Sequence, residues 1–370
     1  MDNRPGRRLL SQCACCKAGP AFAASSLSRR SFLGRSAAAA ALGFAAAAAG
    51  KPPAAAQAPA KPRRIDVHHH FVPPVHAQAL NAHKSNTAFP WTPALSLEDM
   101  DKAGTDTAIL SVLNPGVWFG QIDEASRRLA RACNEYAANL ERDYKGRFRS
   151  FAVIPLPDTE GSLREIEYSL DVLKAQGIAL WTSYSEKYLG DPAFLPVFEE
   201  LNRRKAVLYT HPTSHPCCVR IVPGLRDADI EFATNTTRAI AKMVFSGASR
   251  RYPDMRVIWS HAGGTMPFLV RRFIKRVHES PEYEPVLPEG FLPEARKFYY
   301  DCAQAPDAPA MAALKAVVPV SQILFGTDWP HLTTEEHVTG LQKSGVFTEA
   351  ELRAIDRDNA LRLMSTLRPI

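Results

Sequence analysis

Metal-binding side chains recur along this sequence, beginning with three consecutive histidines in the stretch IDVHHHF. Side chains alternate between the two faces of a β-strand, so His68 and His70 point the same way while His69 points the other way. Further along, YTHP and FGTDWP supply His211 and Asp328. Three imidazoles and one carboxylate suit Zn²⁺ and are tolerated by Mn²⁺. The sequence therefore predicts a divalent metal site, Zn²⁺ with Mn²⁺ as the alternative, and one position left for water or substrate.

These residues can act together only if the fold brings them together, because His68 and Asp328 lie more than 250 positions apart. A structural role is the alternative for the histidine pair, and an isolated His211 or Asp328 would be weak evidence for a metal. The set is stronger, because each member follows an apolar run typical of a strand. His261, in WSHAGG, follows another such run.

Eight short apolar runs alternate with segments of helical period, which favours βαβ units and a parallel sheet. The clearest helix predictions are Gln121–Asp143, Thr236–Ser249 and Glu349–Leu367. The predicted strands are Arg64–His68, Asp106–Leu113, Phe148–Ile154, Gly177–Thr182, Ala206–Thr210, Arg256–Ser260, Phe298–Cys302 and Gln322–Phe325. Eight strands suit a closed α/β barrel, whose carboxyl strand ends meet at one mouth. The competing fold is a doubly wound open sheet, but no Gly-x-Gly-x-x-Gly motif follows the first strand.

The formal net charge of +7 is concentrated at the amino end of the chain. Residues 1–64 hold eleven Lys or Arg and one acid, whereas residues 65–370 hold 34 basic and 37 acidic residues. The predicted folded domain, residues 61–370, is therefore slightly acidic, and nucleic-acid binding loses its main support.

The leader, residues 1–60, has the plan of a twin-arginine export signal. SRRSFLG at residues 28–34 precedes an Ala-rich run at 37–49 and an Ala-Gln-Ala site that ends at Ala58. A low-complexity disordered tail is the alternative. The Ala-rich run is shorter than the roughly 20 residues that span a bilayer, so stable membrane insertion is not expected. The predicted location is the periplasm.

Four cysteines lie beyond the leader, too few for a disulfide framework. Cys217 and Cys218 are adjacent. Two free buried thiols are the expectation for this pair, and a vicinal disulfide is the alternative.

The phrases IDVHHHF, THP, SHAGG and GTDWP resemble the metal-ligand motifs of the amidohydrolase superfamily. The resemblance covers residues 64–366 and is to the branch that contains aminocarboxymuconate semialdehyde decarboxylase, γ-resorcylate decarboxylase and 6-methylsalicylate decarboxylase. It implies a distorted (β/α)8 TIM barrel, often a homodimer. The predicted fourth strand, GIALWTS, lacks the lysine whose carbamate bridges two metals in other members of the superfamily, so the resemblance implies one metal ion.

Carried over to this chain, the resemblance makes His68, His70, His211 and Asp328 the metal ligands. It implies that His261 and Asp328 are catalytic, and that the substrate is a small aromatic or conjugated carboxylate, salicylate-like or muconate-semialdehyde-like. Non-oxidative decarboxylation needs the carboxylate held and an acid placed beside the ring carbon. Aromatic side chains at strand ends could sandwich a planar ring, which makes Trp118 and Trp329 candidates for substrate binding.

Arg272 is a further candidate for binding a substrate carboxylate, with a solvated helix face beside Arg271 and Lys275 as the alternative. Two other functions remain open at this point. The same ligands support a metal-dependent hydrolase or lactonase with His261 as the base. A metal-binding or ligand-binding protein without catalysis is the third possibility.

Overall fold

Eight parallel strands form one sheet that curls into a nearly closed barrel. The structure, a computed structural model, describes residues 63–85 and 89–367. The strands are β1 (Arg64–Phe71), β2 (Thr105–Val112), β3 (Phe148–Val153), β4 (Gly177–Trp181), β5 (Val207–His211), β6 (Arg256–Trp259), β7 (Tyr299–Asp301) and β8 (Ile323–Leu324). All eight predicted strands are present, and the α/β barrel prediction is confirmed. The predicted leader lies outside the described residues.

The barrel closes where the chain leaves β8 and runs beside β1. The Val67 amide donates to the Phe325 carbonyl at 3.0 Å, and the His70 amide donates to the Trp329 carbonyl at 3.0 Å. A single bridge joins His69 to Trp329. This closure is irregular, because β8 has only two residues in regular pairing and a loop replaces the rest. It places the loop that carries Asp328 directly against the histidines of β1.

Helices pack around the outside of the sheet. Their bounds are α1 (Pro74–Ala82), α2 (Pro93–Ala103), α3 (Glu124–Asp143), α4 (Thr159–Glu167), α5 (Leu195–Arg203), α6 (Asp227–Phe245), α7 (Ala248–Arg251), α8 (Met266–Glu279), α9 (Phe291–Ala295), α10 (Ala308–Val317), α11 (Thr334–Ser344), α12 (Glu349–Arg353) and α13 (Asn359–Leu363). A π-helical turn, Ala354–Asp358, joins the last two. No helix in the described part of the chain is long and apolar enough to cross a bilayer.

Three predicted helices differ from the structure at one or both ends, for local reasons. Helix α3 begins at Glu124, because the Asp123 carboxylate accepts the Ser126 amide and caps the helix there. Helix α6 begins nine residues before the predicted Thr236, in a polar first turn without apolar periodicity, and ends at Phe245 before the left-handed Gly247. The segment predicted as Glu349–Leu367 is three consecutive helical pieces that end at Leu363.

Two apolar clusters hold the barrel together. The larger one lies between the strands and the helices. The smaller one includes Ile109, Phe151, Tyr209 and Leu324 from the strands, and Leu363 from the carboxyl end of the chain. The Tyr209 ring in this cluster lies 5.2 Å from the His68 ring. The metal-binding residues therefore lie against a close-packed apolar layer that fixes their positions.

Candidate metal centre

The four predicted ligands converge at the carboxyl ends of the strands. His68 and His70 come from β1, His211 ends β5, and Asp328 follows β8. Asp328 Oδ1 lies 3.0 Å from His68 Nε2, 2.9 Å from His70 Nε2 and 3.9 Å from His211 Nε2. One ligand atom from each residue falls within 4.8 Å of the others, and all four residues are buried.

These atoms are arranged for a cation. The His68 and His70 Nε2 atoms face each other at 3.3 Å. The buried His211 Nε2 and Asp328 Oδ1 have no hydrogen-bond partner of acceptable geometry. A buried polar atom without a partner is costly, and several lone pairs that point at one place repel one another. A divalent ion removes both costs, so the four residues form a metal-binding site.

The protonation of the ligands reflects the same convergence of charge. Burial lowers the pKa of His68, but the carboxylates of Asp301 and Asp328 outweigh it and raise the pKa to about 10. Burial lowers the pKa of His70 to about 4 and holds the pKa of His211 well below its usual value. Burial would raise the pKa of Asp328, yet the surrounding imidazoles hold it well below its usual value. Without a metal, His68 is therefore a positively charged imidazolium at neutral pH, while His70 and His211 are neutral.

Buried partners hold the imidazoles of His68 and His211 with Nε2 free for the metal. Asp301 Oδ2 accepts a hydrogen bond from His68 Nδ1 at 2.9 Å, and the Pro212 carbonyl accepts one from His211 Nδ1 at 2.8 Å. Such partners fix the tautomer and the ring orientation of a metal ligand. Asp301 was not among the predicted site residues, although it lies at the end of the predicted seventh strand, where its position alone could have marked it.

His69 points away from the metal and holds the closure of the barrel together. Its Nδ1 lies 3.0 Å from Asp66 Oδ2, and its Nε2 lies 2.6 Å from Ser96 Oγ on α2. Its ring stacks on Trp329 with the centroids 4.8 Å apart. Thr327 donates its hydroxyl to the same Asp66 carboxylate at 2.7 Å. The middle histidine is therefore a buried structural link between β1 and the loop of Asp328.

His261 lies beside the metal ligands without being one of them. Its Nε2 is 3.2 Å from Asp328 Oδ2, and its backbone amide donates to Asp301 Oδ1 at 2.9 Å. The residue has a φ of 54°, a left-handed conformation that is uncommon outside glycine. Gly264 permits this turn, because a Cβ there would lie 2.0 Å from the Ala233 carbonyl oxygen of α6. His261 and the carboxylate of Asp328 are thus set for proton exchange.

The three predicted substrate-binding residues have different surroundings. Trp118 is half-buried in the loop after β2. Trp329 is only 7% exposed and packs between His69 and Phe89. Arg272 lies on the exposed face of α8 and makes no ion pair among the described residues. Contact of these three side chains with substrate stays a prediction.

Other side chains that the sequence analysis did not select surround the metal ligands. The Phe232 ring of α6 lies 5.9 Å from the His211 ring. The exposed His331 ring lies 6.1 Å from the His70 ring. Gln304, also exposed, donates its side-chain amide to Asp328 Oδ2 at 3.0 Å. All three lie on loops or in a helix, where neither strand period nor metal-ligand chemistry marks a residue.

The expectation of two free buried thiols at Cys217 and Cys218 is wrong. The two residues form a vicinal disulfide, and Cys217 is exposed. The His215 Nδ1 atom accepts the Cys217 amide at 3.3 Å, and the Arg238 guanidinium lies 3.5 Å from Cys218 Sγ. The bridge lies in the loop that leaves the metal ligand His211. The described free cysteines are Cys133 and Cys302, both buried.

An α/β barrel with a metal-binding site of three histidines and one aspartate defines the class of protein, and comparison with known proteins gives the family. The amidohydrolase family profile matches residues 65–365, and the chain belongs to that family. Two fungal relatives are similar over most of its length. The decarboxylase yanB of Aspergillus niger is 37% identical over 320 residues, which cover 81% of this chain and 87% of the relative. The 6-methylsalicylic acid decarboxylase of Penicillium expansum is 33% identical, over 83% of this chain and 98% of the relative.

A solved structure shares the fold. The dihydroxybenzoic acid decarboxylase of Polaromonas, with bound manganese and the inhibitor 2-nitroresorcinol, superposes with a TM-score of 0.73 at 21% identity. The match covers 83% of this chain and 98% of that one. At this identity the likeness concerns the barrel itself.

Proposed function

We propose that this protein is a metal-dependent, non-oxidative decarboxylase of an aromatic or conjugated carboxylic acid, a carboxy-lyase that acts on salicylate-like or muconate-semialdehyde-like substrates. The observation that carries the proposal is that the two carboxylate oxygens of Asp328 have different neighbours. One oxygen, Oδ1, faces the metal ligands, and the other, Oδ2, lies 3.2 Å from His261 Nε2. The two fungal relatives named as decarboxylases support the same reaction class.

Each residue of the site has a separate role in the proposed reaction. His68, His70, His211 and Asp328 would hold the ion. A divalent cation there supplies electrostatic stabilisation of the substrate carboxylate, and of an ortho hydroxyl where one is present. Asp328 donates a proton from Oδ2 to the ring carbon that bears the carboxylate. The bond between that carbon and the carboxylate then breaks, its electrons return to the ring, and carbon dioxide leaves. His261 takes a proton from solvent and passes it to Asp328, which restores the acid for the next turnover.

The surroundings of the site suit a planar substrate. The Trp181 ring lies 5.5 Å from His211, and the Phe232 ring lies on α6 nearby. Aromatic side chains pack against flat rings and keep water away from a carbon that is to be protonated. Trp118 and Trp329 remain candidates for the same wall, and Arg272 for a substrate carboxylate.

The experiment that tests this function uses the full-length protein loaded with metal and a panel of salicylate-like and conjugated acids, with lactones as the contrasting substrates. Carbon dioxide is expected from an acid. His261→Asn should keep the metal, because His261 is not a ligand, and should lose about 10²- to 10⁴-fold in kcat. Asp328→Asn should also lose turnover. Near-normal turnover in the His261 variant, or hydrolysis of lactones without carbon dioxide release, contradicts the proposal.

We propose Zn²⁺ as the resident ion, since three imidazoles and one carboxylate are a borderline set that suits it. Mn²⁺ is the alternative, and the Polaromonas enzyme contains it. Elemental analysis of protein purified without added metal decides between them. One equivalent of zinc is expected, and one equivalent of manganese would replace the proposal with its alternative.

We further propose that the protein is a homodimer in the periplasm. The segment 219–230 exposes five large apolar side chains that a second copy could cover: Val219, Ile221, Val222, Leu225 and Ile230. Light scattering should give twice the monomer mass, and a monomer at micromolar concentration would contradict this. The twin-arginine leader supports export. Fractionation of cells that carry the full chain should find the protein in the periplasm, and replacing Arg29 and Arg30 by Lys should keep it in the cytoplasm.

A further inference from the structure

Gln304 contacts the same carboxylate oxygen that the proposed mechanism uses. Its side-chain Nε2 donates a hydrogen bond to Asp328 Oδ2 at 3.0 Å. His261 Nε2 approaches that oxygen at 3.2 Å from another element. The other oxygen, Oδ1, lies within 3.0 Å of the Nε2 atoms of both His68 and His70. The two oxygens of Asp328 thus have separate surroundings, with ligand atoms around one and two nitrogens beside the other.

The backbone holds Gln304 in this position. It lies three residues after Asp301, beyond the end of β7, and its φ of 55° is left-handed. Its backbone amide donates to His337 Nε2 at 3.1 Å. Burial lowers the pKa of His337, which keeps the ring neutral and its Nε2 an acceptor. Left-handed conformations of residues other than glycine persist only where the surroundings fix them, and they concentrate at functional sites. His261 and Asp328 are left-handed as well.

We propose that Gln304 is a positioning residue that keeps Asp328 a one-oxygen ligand of the metal. A carboxylate with both oxygens free can bind a cation through both. A hydrogen bond to an ionised oxygen is a strong one, so the Gln304 amide keeps Oδ2 directed toward the mouth. His261 lies beside the same oxygen, and the Gln304 amide adds a second donor that approaches from another element. The amide of Gln304 keeps its hydrogens in every protonation state of its neighbours.

The test compares Gln304→Met, which keeps the length of the side chain and removes the donor, with the wild-type protein. Gln342→Met is the matched control, since Gln342 is exposed on α11 and makes no hydrogen bond among the described residues. The first readout is independent of activity. Full-length protein is loaded with one equivalent of Co²⁺, and its visible absorption reports the number of ligand atoms on the ion. Gln304→Met should bind the same amount of Co²⁺ with weaker d–d bands, because binding through both oxygens raises the coordination number.

The second readout is turnover and rests on the proposed function. Loss of one hydrogen bond to a charged group corresponds to a decrease of about ten- to a hundredfold in kcat. The KM should stay within about threefold of wild type, because Gln304 acts through Asp328 and not through substrate binding. Gln304→Glu should lose more, since a second carboxylate would face Oδ2. Gln342→Met should match wild type in both readouts.

The outcomes separate this proposal from the proposed function. An unchanged Co²⁺ spectrum in Gln304→Met overturns the positioning role, whatever the activity. A kcat within about twofold of wild type overturns it as well. If the wild-type protein decarboxylates none of the acids, the proposed function fails, and the Co²⁺ spectrum still decides the role of Gln304. If Gln304→Met does not fold, Gln304→Ala replaces it in the same two measurements.

Discussion

Replacing Asp301 by asparagine tests whether the buried carboxylate behind the metal site sets its affinity. Asp301 Oδ2 accepts from His68 Nδ1 at 2.9 Å, while Oδ1 accepts the backbone amides of His261 and Ala303 at 2.9 and 3.0 Å. An asparagine keeps the volume and one acceptor oxygen. It replaces the other oxygen by an NH₂ group, which cannot accept from His68 Nδ1. The ring then loses the partner that fixes its tautomer and increases its basicity.

The size of the effect follows from the role of Asp301. Removing a carboxylate behind a metal-bound histidine costs about ten- to a hundredfold in metal affinity, or ~1.4–2.7 kcal/mol. The size of the loss changes with pH, because the same carboxylate also raises the pKa of His68 and so stabilises the proton that competes with the metal. Asp301→Asn weakens both competitors. We therefore expect the full loss only above the His68 pKa of about 10, and a progressively smaller loss as the pH falls below it.

The assay is competition for Zn²⁺ between the protein and a chromophoric chelator at several pH values. Asp254→Asn is the control, since the exposed Asp254 carboxylate makes no hydrogen bond or ion pair among the described residues. It should bind metal like wild type. The reasoning is refuted if Asp301→Asn binds Zn²⁺ within about twofold of wild type across the whole range, with the same dependence on pH.

Three further predictions concern the ligands and the disulfide. His70→Ala should lose the bound metal. His69→Ala should keep the metal and instead lose about 3 kcal/mol of stability, because it leaves a cavity and unpaired buried oxygens. Metal content and thermal unfolding separate the two variants, and equal metal loss in both would contradict the assignment. Metal binding at neutral pH should release about one proton, which His68 holds below its pKa of about 10, and calorimetry in buffers of different ionisation enthalpy measures it; release of none would be inconsistent with that pKa. In unfolded, unreduced protein that begins after the leader, only Cys133 and Cys302 should react with iodoacetamide, as mass spectrometry would show, and labelling of Cys217 or Cys218 would count against the bridge.

The metal ligands could be predicted from the sequence because strand geometry fixes the direction of their side chains and barrel topology fixes where the strands end. The pleat separates His68 and His70 from His69, and the barrel mouth brings His211 and Asp328 to them. That only one ion binds there was implied by the family resemblance and not by residue type and strand position. Asp301 also lies at the end of a predicted strand, and the same reasoning would have selected it as a site residue.

Other features depend on backbone conformations that residue types do not show. Gln304 reaches Asp328 from a left-handed position beyond β7, and an exposed glutamine has no pattern that distinguishes it from other surface residues. The vicinal disulfide lies in the short turn at Pro216–Cys218. Residue types do not reveal this turn, and two free thiols were therefore the expectation. The start of α6 has acidic residues that favour a helix amino terminus, yet it lacks the apolar period on which the prediction relied.

The most direct test of the account is decarboxylation in heavy water by the metal-loaded, full-length protein. A salicylate-like or conjugated acid that turns over should release one carbon dioxide per molecule, and the product should carry one deuterium at the carbon that bore the carboxylate. Removing the metal should stop both. Carbon dioxide release that persists without metal, or a product without deuterium at that carbon, would contradict a metal centre in which Asp328 and His261 deliver the proton.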